Sequence, residues 1–363
     1  MSPSIRFPEF TGEWERCVLG DVLEFSNTRI NSSELNSGNY VSTENILQNF
    51  QGIVKARSIP EDTNVMAFSC GNILLSNIRP YLKKVWKATF NGGCSSDVFV
   101  LQANSNIDAD YLHYVVANDK FIGFVMNGAK GVKMPRGDKN QMKTYSLSLP
   151  SIKEQRKISR FLSFLDERIA VQSRLIDRLQ SLMIGIRHRI INEAKGKIVC
   201  LCEVSDIYQP QTISSADLTE TGYPVYGANG IIGHYTSYNH EAEQVCITCR
   251  GNTCGGVNYT KSKSWITGNA MVVNVDRYQN IVSKRYLYHY LSNCDFNSII
   301  SGSGQPQIVR APLAKFKIIL PTVMQQYKIA HCLDVIQNKI NVNSNILNLL
   351  IRQKQYLLRK MFI

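Results

Sequence analysis

Three patterns in this sequence hold residue types that could do chemistry. Cys246-x2-Cys249-x4-Cys254 sets three thiols at intervals that invite a zinc reading. Structural zinc takes four ligands, and the ribbon signature of two separated Cys-x2-Cys units is missing. Cys200-x-Cys202 is too tightly spaced to supply it, so these thiols read as small apolar residues on strands. Asp177 followed by Glu193-Ala-Lys195 is the nearest nuclease-like arrangement, but it falls at the fraying end of a basic helix. Gly227-Ala-Asn-Gly230-Ile-Ile-Gly233 superficially resembles a phosphate loop. It does not clearly open a helix, and reads instead as a turn that lets backbone approach a partner. The six histidines form no metal-spaced pair, and none sits with a nucleophile-elbow Ser or Cys. There is no Gly-x4-Gly-Lys-Ser/Thr loop, no glycine-rich methyl-donor loop and no Asn/Asp-Pro-Pro-aromatic string. Nucleotide hydrolysis and methyl transfer by this chain are therefore not expected.

Charge points to a different chemistry. Lys and Arg number 41 against 28 Asp and Glu, a net charge of +13, which favours a polyanionic partner, nucleic acid or an anionic membrane face. Two glycine-containing stretches carry side chains suited to the former. Gly131-Val-Lys-Met-Pro135-Arg136 follows Lys130, and Gly302-Ser-Gly-Gln-Pro306-Gln307 matches it 171 residues later. Arg136 and Gln307 occupy equivalent places after the prolines. Arg suits the guanine edge and Gln the adenine edge, while Lys130 and Lys133 suit phosphate. Arg79 and Arg250 are the next candidates for base reading, and Lys83, Asn229, Gln305 and Arg310 complete the expected DNA-binding set.

These side chains need a scaffold, and the sequence repeats one. At an offset of 171, Pro150, Gln155, Lys157, Ile158, Leu162, Ile169, Val171, Ser173 and Leu179 recur as Pro321, Gln326, Lys328, Ile329, Leu333, Ile340, Val342, Ser344 and Leu350. Nine identities over 30 gapless positions exceed what shared composition gives. At an offset of 172, Ile73–Ser76 meets Val245–Thr248, and Ser95–Leu101 meets Thr267–Val273. A period this long implies two similar halves rather than a solenoid. After Ser151 and Thr322, both plausible helix caps, apolar residues recur every three, four and seven positions. Each series predicts an amphipathic helix of about 40 residues, roughly 60 Å long, and each stripe needs a partner, the other copy being the obvious one. The helical segments concentrate charge. Residues 151–196 hold 10 basic and 5 acidic side chains, and residues 322–363 hold 6 and 1. Outside them, 98–101, 245–248, 271–273 and 316–320 read as strands, and 111–116 and 286–291 as short helices. The length of 363 residues suits two domains. No run of roughly 20 apolar residues suggests a membrane span, and the opening residues do not read as a signal peptide. The ten cysteines are expected to be reduced in a cytoplasm.

Together these features resemble the specificity subunit of type I restriction–modification systems. The resemblance covers nearly the whole chain. It rests on Phe7-Pro-Glu-Phe-Thr-Gly-Glu-Trp14-Glu, Leu19-Gly-Asp-Val22, the doubled Pro-x4-Gln-x-Lys-Ile, Tyr223-Pro-Val-Tyr-Gly-Ala-Asn-Gly230-Ile-Ile-Gly and the turn before Pro306. It implies a mixed α/β (α+β) fold: two similar target-recognition domains, 1–150 and 197–321, separated by two long antiparallel coiled-coil helices, 151–196 and 322–363, in a pseudo-twofold tandem repeat. It further implies a non-catalytic, cytoplasmic, DNA-associated subunit that binds a bipartite double-stranded site. The helices would act as a ruler and as a dock for two methyltransferase and two restriction–translocase subunits. S-adenosylmethionine, ATP and Mg would be used by those partners, with no cofactor or metal in this chain. Gln337 and Asn338 stand where Asp166 and Glu167 stand in the first helix, so the two docking faces need not be equivalent. The alternative class is a basic-helix scaffold on an anionic membrane or acidic partner. It requires a free apolar face, whereas the two stripes are expected to be committed to each other.

Overall fold

The computed structural model describes residues 3–362 apart from Val132, Asn229 and Ser303. It divides into two units, Met1–Gln172 with Ile346–Ile363, and Ser173–Asn345. Each unit is built on a four-stranded antiparallel sheet of the same order. In the first unit the strands run Leu23–Phe25, Val98–Ala103, Ile73–Ser76, Val85–Lys87. In the second they run Asp206–Tyr208, Ala270–Asn274, Val245–Thr248, Val257–Tyr259. Ile73–Ser76 and Val245–Thr248 are buried at every position, which is why they read as continuous apolar runs rather than as alternating strands. A second small sheet lies in each unit, four-stranded in the first and three-stranded in the second, each ending in a parallel pair.

The short helices form where their caps predict. Asp108 accepts from the Asp110 and Tyr111 amides ahead of Ala109–Val116, and the Ser283 hydroxyl accepts from the Tyr286 amide ahead of Lys284–Leu291. Each buries a tyrosine completely, Tyr111 and Tyr286, in the two main cores.

The two expected long helices are present, Ile152–Glu193 and Val323–Met361. Each carries the glutamine of the repeated motif in its first turn, and the structure gives that motif a physical reason. Gln155 donates to the Pro150 carbonyl at 2.9 Å and accepts from the Asp108 amide at 2.8 Å. Gln326 donates to the Pro321 and Ile281 carbonyls at 2.9 Å and accepts from the Ser283 amide at 2.8 Å. One buried carboxamide thus ties strand end, long-helix start and short-helix cap together. The apolar stripes of both helices are buried or half-buried as expected, Ile176, Met183, Leu333, Ile340 and Leu350 among them. Ile158, Leu162 and Leu165 share the first unit's globular core with Tyr111, Leu112 and Val115, and with Leu357, Leu358, Met361 and Phe362. Ile191 and Ala330 likewise join the second unit's core. Each unit joins the opening part of one long helix to the closing part of the other, as antiparallel pairing requires. Apolar residues outside those stripes stay open: Phe164, Val171, Leu182, Ile184, Val342 and Leu349 are each at least half exposed. Among the described residues no helix is long and apolar enough to cross a membrane.

Candidate nucleic-acid interface

In the first unit the chain leaves the central strand Ile73–Ser76 and turns sharply. Arg79 and Lys83 both adopt left-handed backbone, with φ of 51° and 53°. Such values are uncommon outside glycine, and here they bracket a one-turn helix, Pro80–Leu82. The Arg79 amide donates to the Pro135 carbonyl at 2.8 Å, and Ile78 pairs with Arg136. Lys130 and Arg136 exchange two backbone bonds of 2.9 Å, closing the glycine-containing loop. Gly131, at φ +91°, makes that closure possible. Arg79, Lys130, Lys133 and Arg136 thereby come to one exposed edge.

The second unit repeats this construction with other side chains. The Gly251 amide donates to the Pro306 carbonyl at 3.1 Å, and Arg250 pairs with Gln307. Gly302 stands at φ +97°, where a Cβ would lie 2.4 Å from the Gln305 carbonyl oxygen. Arg250, Gln305 and Arg310 are exposed and Gln307 is half-buried. Beside them, Tyr223–Gly227 and Gly230–Tyr235 form a hairpin, not the mouth of a helix. Its Ala228 carbonyl accepts from the Thr248 hydroxyl at the end of the central strand. Asn229 lies outside the described residues.

Three of the expected basic residues have carboxylate partners that spacing did not reveal. Arg136 pairs with Asp97 at 2.9 Å, Lys130 with Asp138 at 2.8 Å and Lys83 with Asp119 at 2.6 Å. Lys130, with amides of the adjacent helix, holds the Asp138 carboxyl below its ordinary range. Exposed pairs of this kind are worth about 0–1 kcal/mol, so at Lys130 and Lys83 a phosphate can displace the carboxylate. Among the described residues, Arg79, Lys133, Arg250 and Arg310 carry no carboxylate partner.

Two further cations lie nearby. Lys139 sits 5.6 and 5.3 Å above the rings of Phe25 and Phe99. With Arg29, Ser26, Ser95 and Ser96 it lines an open cleft of about 390 Å³ that contains no carboxylate. Lys139 opens a helix at the repeat position of Arg310, and that match could have flagged it. Arg29 had no such signal.

The other chemical patterns have structural explanations. Cys246 lies on the central strand and Cys249 just beyond it, both buried. Burial pushes the Cys246 thiol up to about 12, and Cys249 donates to the Gly268 carbonyl at 3.6 Å. Both behave as core side chains rather than thiolate ligands, and the described residues hold no cluster fit for a metal. Glu193 pairs with Arg189 at 3.2 Å on an exposed helix face.

Comparison with known proteins agrees with this doubled arrangement. A family model for the type I restriction modification DNA specificity domain matches twice, over residues 11–181 and 194–352. The EcoprrI type I restriction enzyme specificity subunit of Escherichia coli is 31% identical over 148 residues, 39% of this chain and 36% of that protein. The EcoDI specificity subunit of Escherichia coli is 33% identical over 93 residues, 26% of this chain and 20% of that protein. The matched stretches thus span about a third or less of these relatives' length. A crystal structure of a type I restriction–modification S subunit from M. genitalium superposes with a TM-score of 0.70 at 16% identity, covering 100% of this chain and 99% of that one. A structure described for complex assembly and conformational transition of the type I R-M system gives 0.58 at 19% identity, covering 97% and 98%. At these identities the likeness is one of fold.

Proposed function

The chain belongs to the family of type I restriction–modification DNA specificity proteins, and from that membership we propose that it is the sequence-reading subunit of such a complex. Each target-recognition domain, 1–150 and 197–321, reads one half of a bipartite DNA site. The long helices, 151–196 and 322–363, dock two methyltransferase subunits, and two restriction–translocase subunits complete the assembly. Methyl transfer from S-adenosylmethionine and ATP- and Mg-dependent cleavage belong to those partners, and the whole acts on cytoplasmic DNA.

The observation that carries the reading is one backbone design built twice with different tips. In both units the loop after the central strand is bonded to a glycine–proline turn, Arg79 to Pro135 and Gly251 to Pro306. The side chains presented there are Arg79, Lys133 and Arg136 in one unit and Arg250, Gln305 and Gln307 in the other. A shared frame with unlike Arg, Lys and Gln heads suits two different base sequences. Docking is supported by the exposed apolar residues of the long helices, since patches of that kind mark protein contacts.

The test is co-expression with methyltransferase subunits of the same system, followed by methylome sequencing and by binding of the purified chain to duplex DNA and to anionic vesicles. A methylated bipartite motif that requires this chain supports the proposal. Methyl transfer by the chain alone, or binding to vesicles in preference to DNA, overturns it.

A further inference from the structure

The reading head of the first unit contains a residue that no basic-residue pattern marks. Asp97 contacts Arg136 Nη1 through Oδ1 at 2.9 Å, and its side chain is 30% exposed against 53% for the arginine. Its backbone is fixed: the Asn77 amide donates to the Asp97 carbonyl at 2.8 Å, and the Asp97 amide donates to Ser95 Oγ at 3.3 Å. Asn77 is in turn bonded to Gly137, the residue after Arg136, at 3.1 Å. The carboxylate is therefore held by the strand system, not by the loop it contacts.

The second unit has the same backbone connections. The Cys249 amide donates to the Asn269 carbonyl at 3.0 Å, and the Ile308 amide to the Cys249 carbonyl at 3.0 Å. Asn269 thus occupies the place of Asp97, and Gln307 that of Arg136. Where the tip is a guanidinium the frame offers a carboxylate, and where the tip is a neutral amide it offers a neutral amide.

Resting on the DNA-reading function proposed above, we infer that Asp97 is a positioning residue for Arg136, orienting its guanidinium toward a guanine edge and so setting one position of the first half-site. Arginine has five donors in a rigid fork. A carboxylate on Nη1 fixes the plane of that fork and leaves Nη2 and the second Nη1 hydrogen for O6 and N7. Fixing a long side chain before binding removes the ordering cost that would otherwise blunt discrimination. A negative charge at a DNA surface opposes general binding, so Asp97 favours discrimination over affinity.

The experiment uses the full chain in its complex, with methylome sequencing of the parent, Arg136→Ala, Asp97→Asn, Asp97→Glu and the Asp97→Asn/Arg136→Ala double variant. Asp97→Asn keeps the shape and the backbone bonds while removing the charge. Arg136→Ala should relax one position of the first half-site, with about tenfold or greater loss of discrimination. Asp97→Asn and Asp97→Glu should relax that same position by about three- to tenfold, with unrelated DNA bound as well as or better than by the parent. In the Arg136→Ala background Asp97→Asn should add nothing. A merely structural Asp97 would lower the melting temperature and methylation at every site alike. If Arg136→Ala relaxes the position and neither Asp97 variant does, the positioning role is wrong while the arginine reading stands. If Arg136→Ala leaves the motif intact, both assignments fall, and the family-level function is untouched.

Discussion

Replacing Gln326 with alanine removes a side chain that joins the second unit's strand end, long helix and short-helix cap. Gln326 is fully buried. Its loss strands the Ser283 amide, held now at 2.8 Å, and withdraws a donor from the Pro321 and Ile281 carbonyls, each at 2.9 Å. A buried amide without a partner costs about 1–3 kcal/mol, and carbonyls lose less because each retains a second lone pair. Together with the small cavity left by the side chain, the expected destabilisation is about 3 kcal/mol. For a unit of this size about 2–4 °C accompanies each kcal/mol, so the second unit's melting temperature should fall by about 6–12 °C. Scanning calorimetry measures this, and hydrogen exchange at the Ser283 amide should accelerate with it. Gln155→Ala should act comparably on the first unit, through Asp108 and Pro150. Gln325→Ala is the control. That residue is exposed, accepts only from Thr322 at 3.3 and 3.0 Å, and should cost about 0.5 kcal/mol or less. A Gln326→Ala chain melting within about 2 °C of the parent, a shift worth 1 kcal/mol or less, would refute the stapling role.

Arg6→Ala should destabilise the first unit by about 3–5 kcal/mol in urea unfolding, because it strips a two-pronged partner, at 2.7 and 2.8 Å, from the buried Glu154 carboxylate; Arg6→Met with Glu154→Leu should recover most of that loss. His289 is fully buried and bonded to Asp334 at 2.7 Å, and burial, opposed by Asp334, pushes it down from 6.5 to about 4. Between those values the unfolded chain binds the extra proton, so stability should fall as pH drops from 6.5 to 4, by at most about 3 kcal/mol. His289→Gln, which can still donate to Asp334, should lose that share of the pH dependence in urea titrations at pH 7 and pH 4.5. Lys133→Ala should weaken binding to all duplexes alike and reduce the slope of log affinity against log salt by about 0.9; a sequence-selective loss would assign Lys133 to base reading instead.

Much of the scaffold was legible because helical and strand periods survive in one dimension. Ser151 and Thr322 marked the helix starts, and the fully apolar 73–76 and 245–248 marked the central strands. The matching of Arg136 with Gln307 was legible because the repeat keeps their spacing, whereas the structure sets Arg250 in the place of Ile78 and Gly251 in the place of Arg79. What escaped depends on side chains brought together from distant positions. Asp97 reaches Arg136 across 39 residues of sequence, and Arg29 meets Lys139 only in the cleft between sheets. The role of Gln155 and Gln326 was hidden for the same reason. Their motif was visible, but their partners, Asp108 and Ser283, lie 47 and 43 residues upstream. The helix stripes were legible too, and their residues are buried or half-buried. Periodicity gives the buried face, but it does not say that Phe164, Leu182 or Leu349 stays exposed on another.

The central claim is that two similar domains in one chain read two separate half-sites. Its most direct measurement is the methylated motif produced when residues 197–321 are replaced by the corresponding segment of another family member and the chimaera is expressed with its methyltransferase subunits. The account predicts a bipartite motif in which one half changes to that of the donor and the other remains that of the parent. A motif altered in both halves, or in neither, would contradict it.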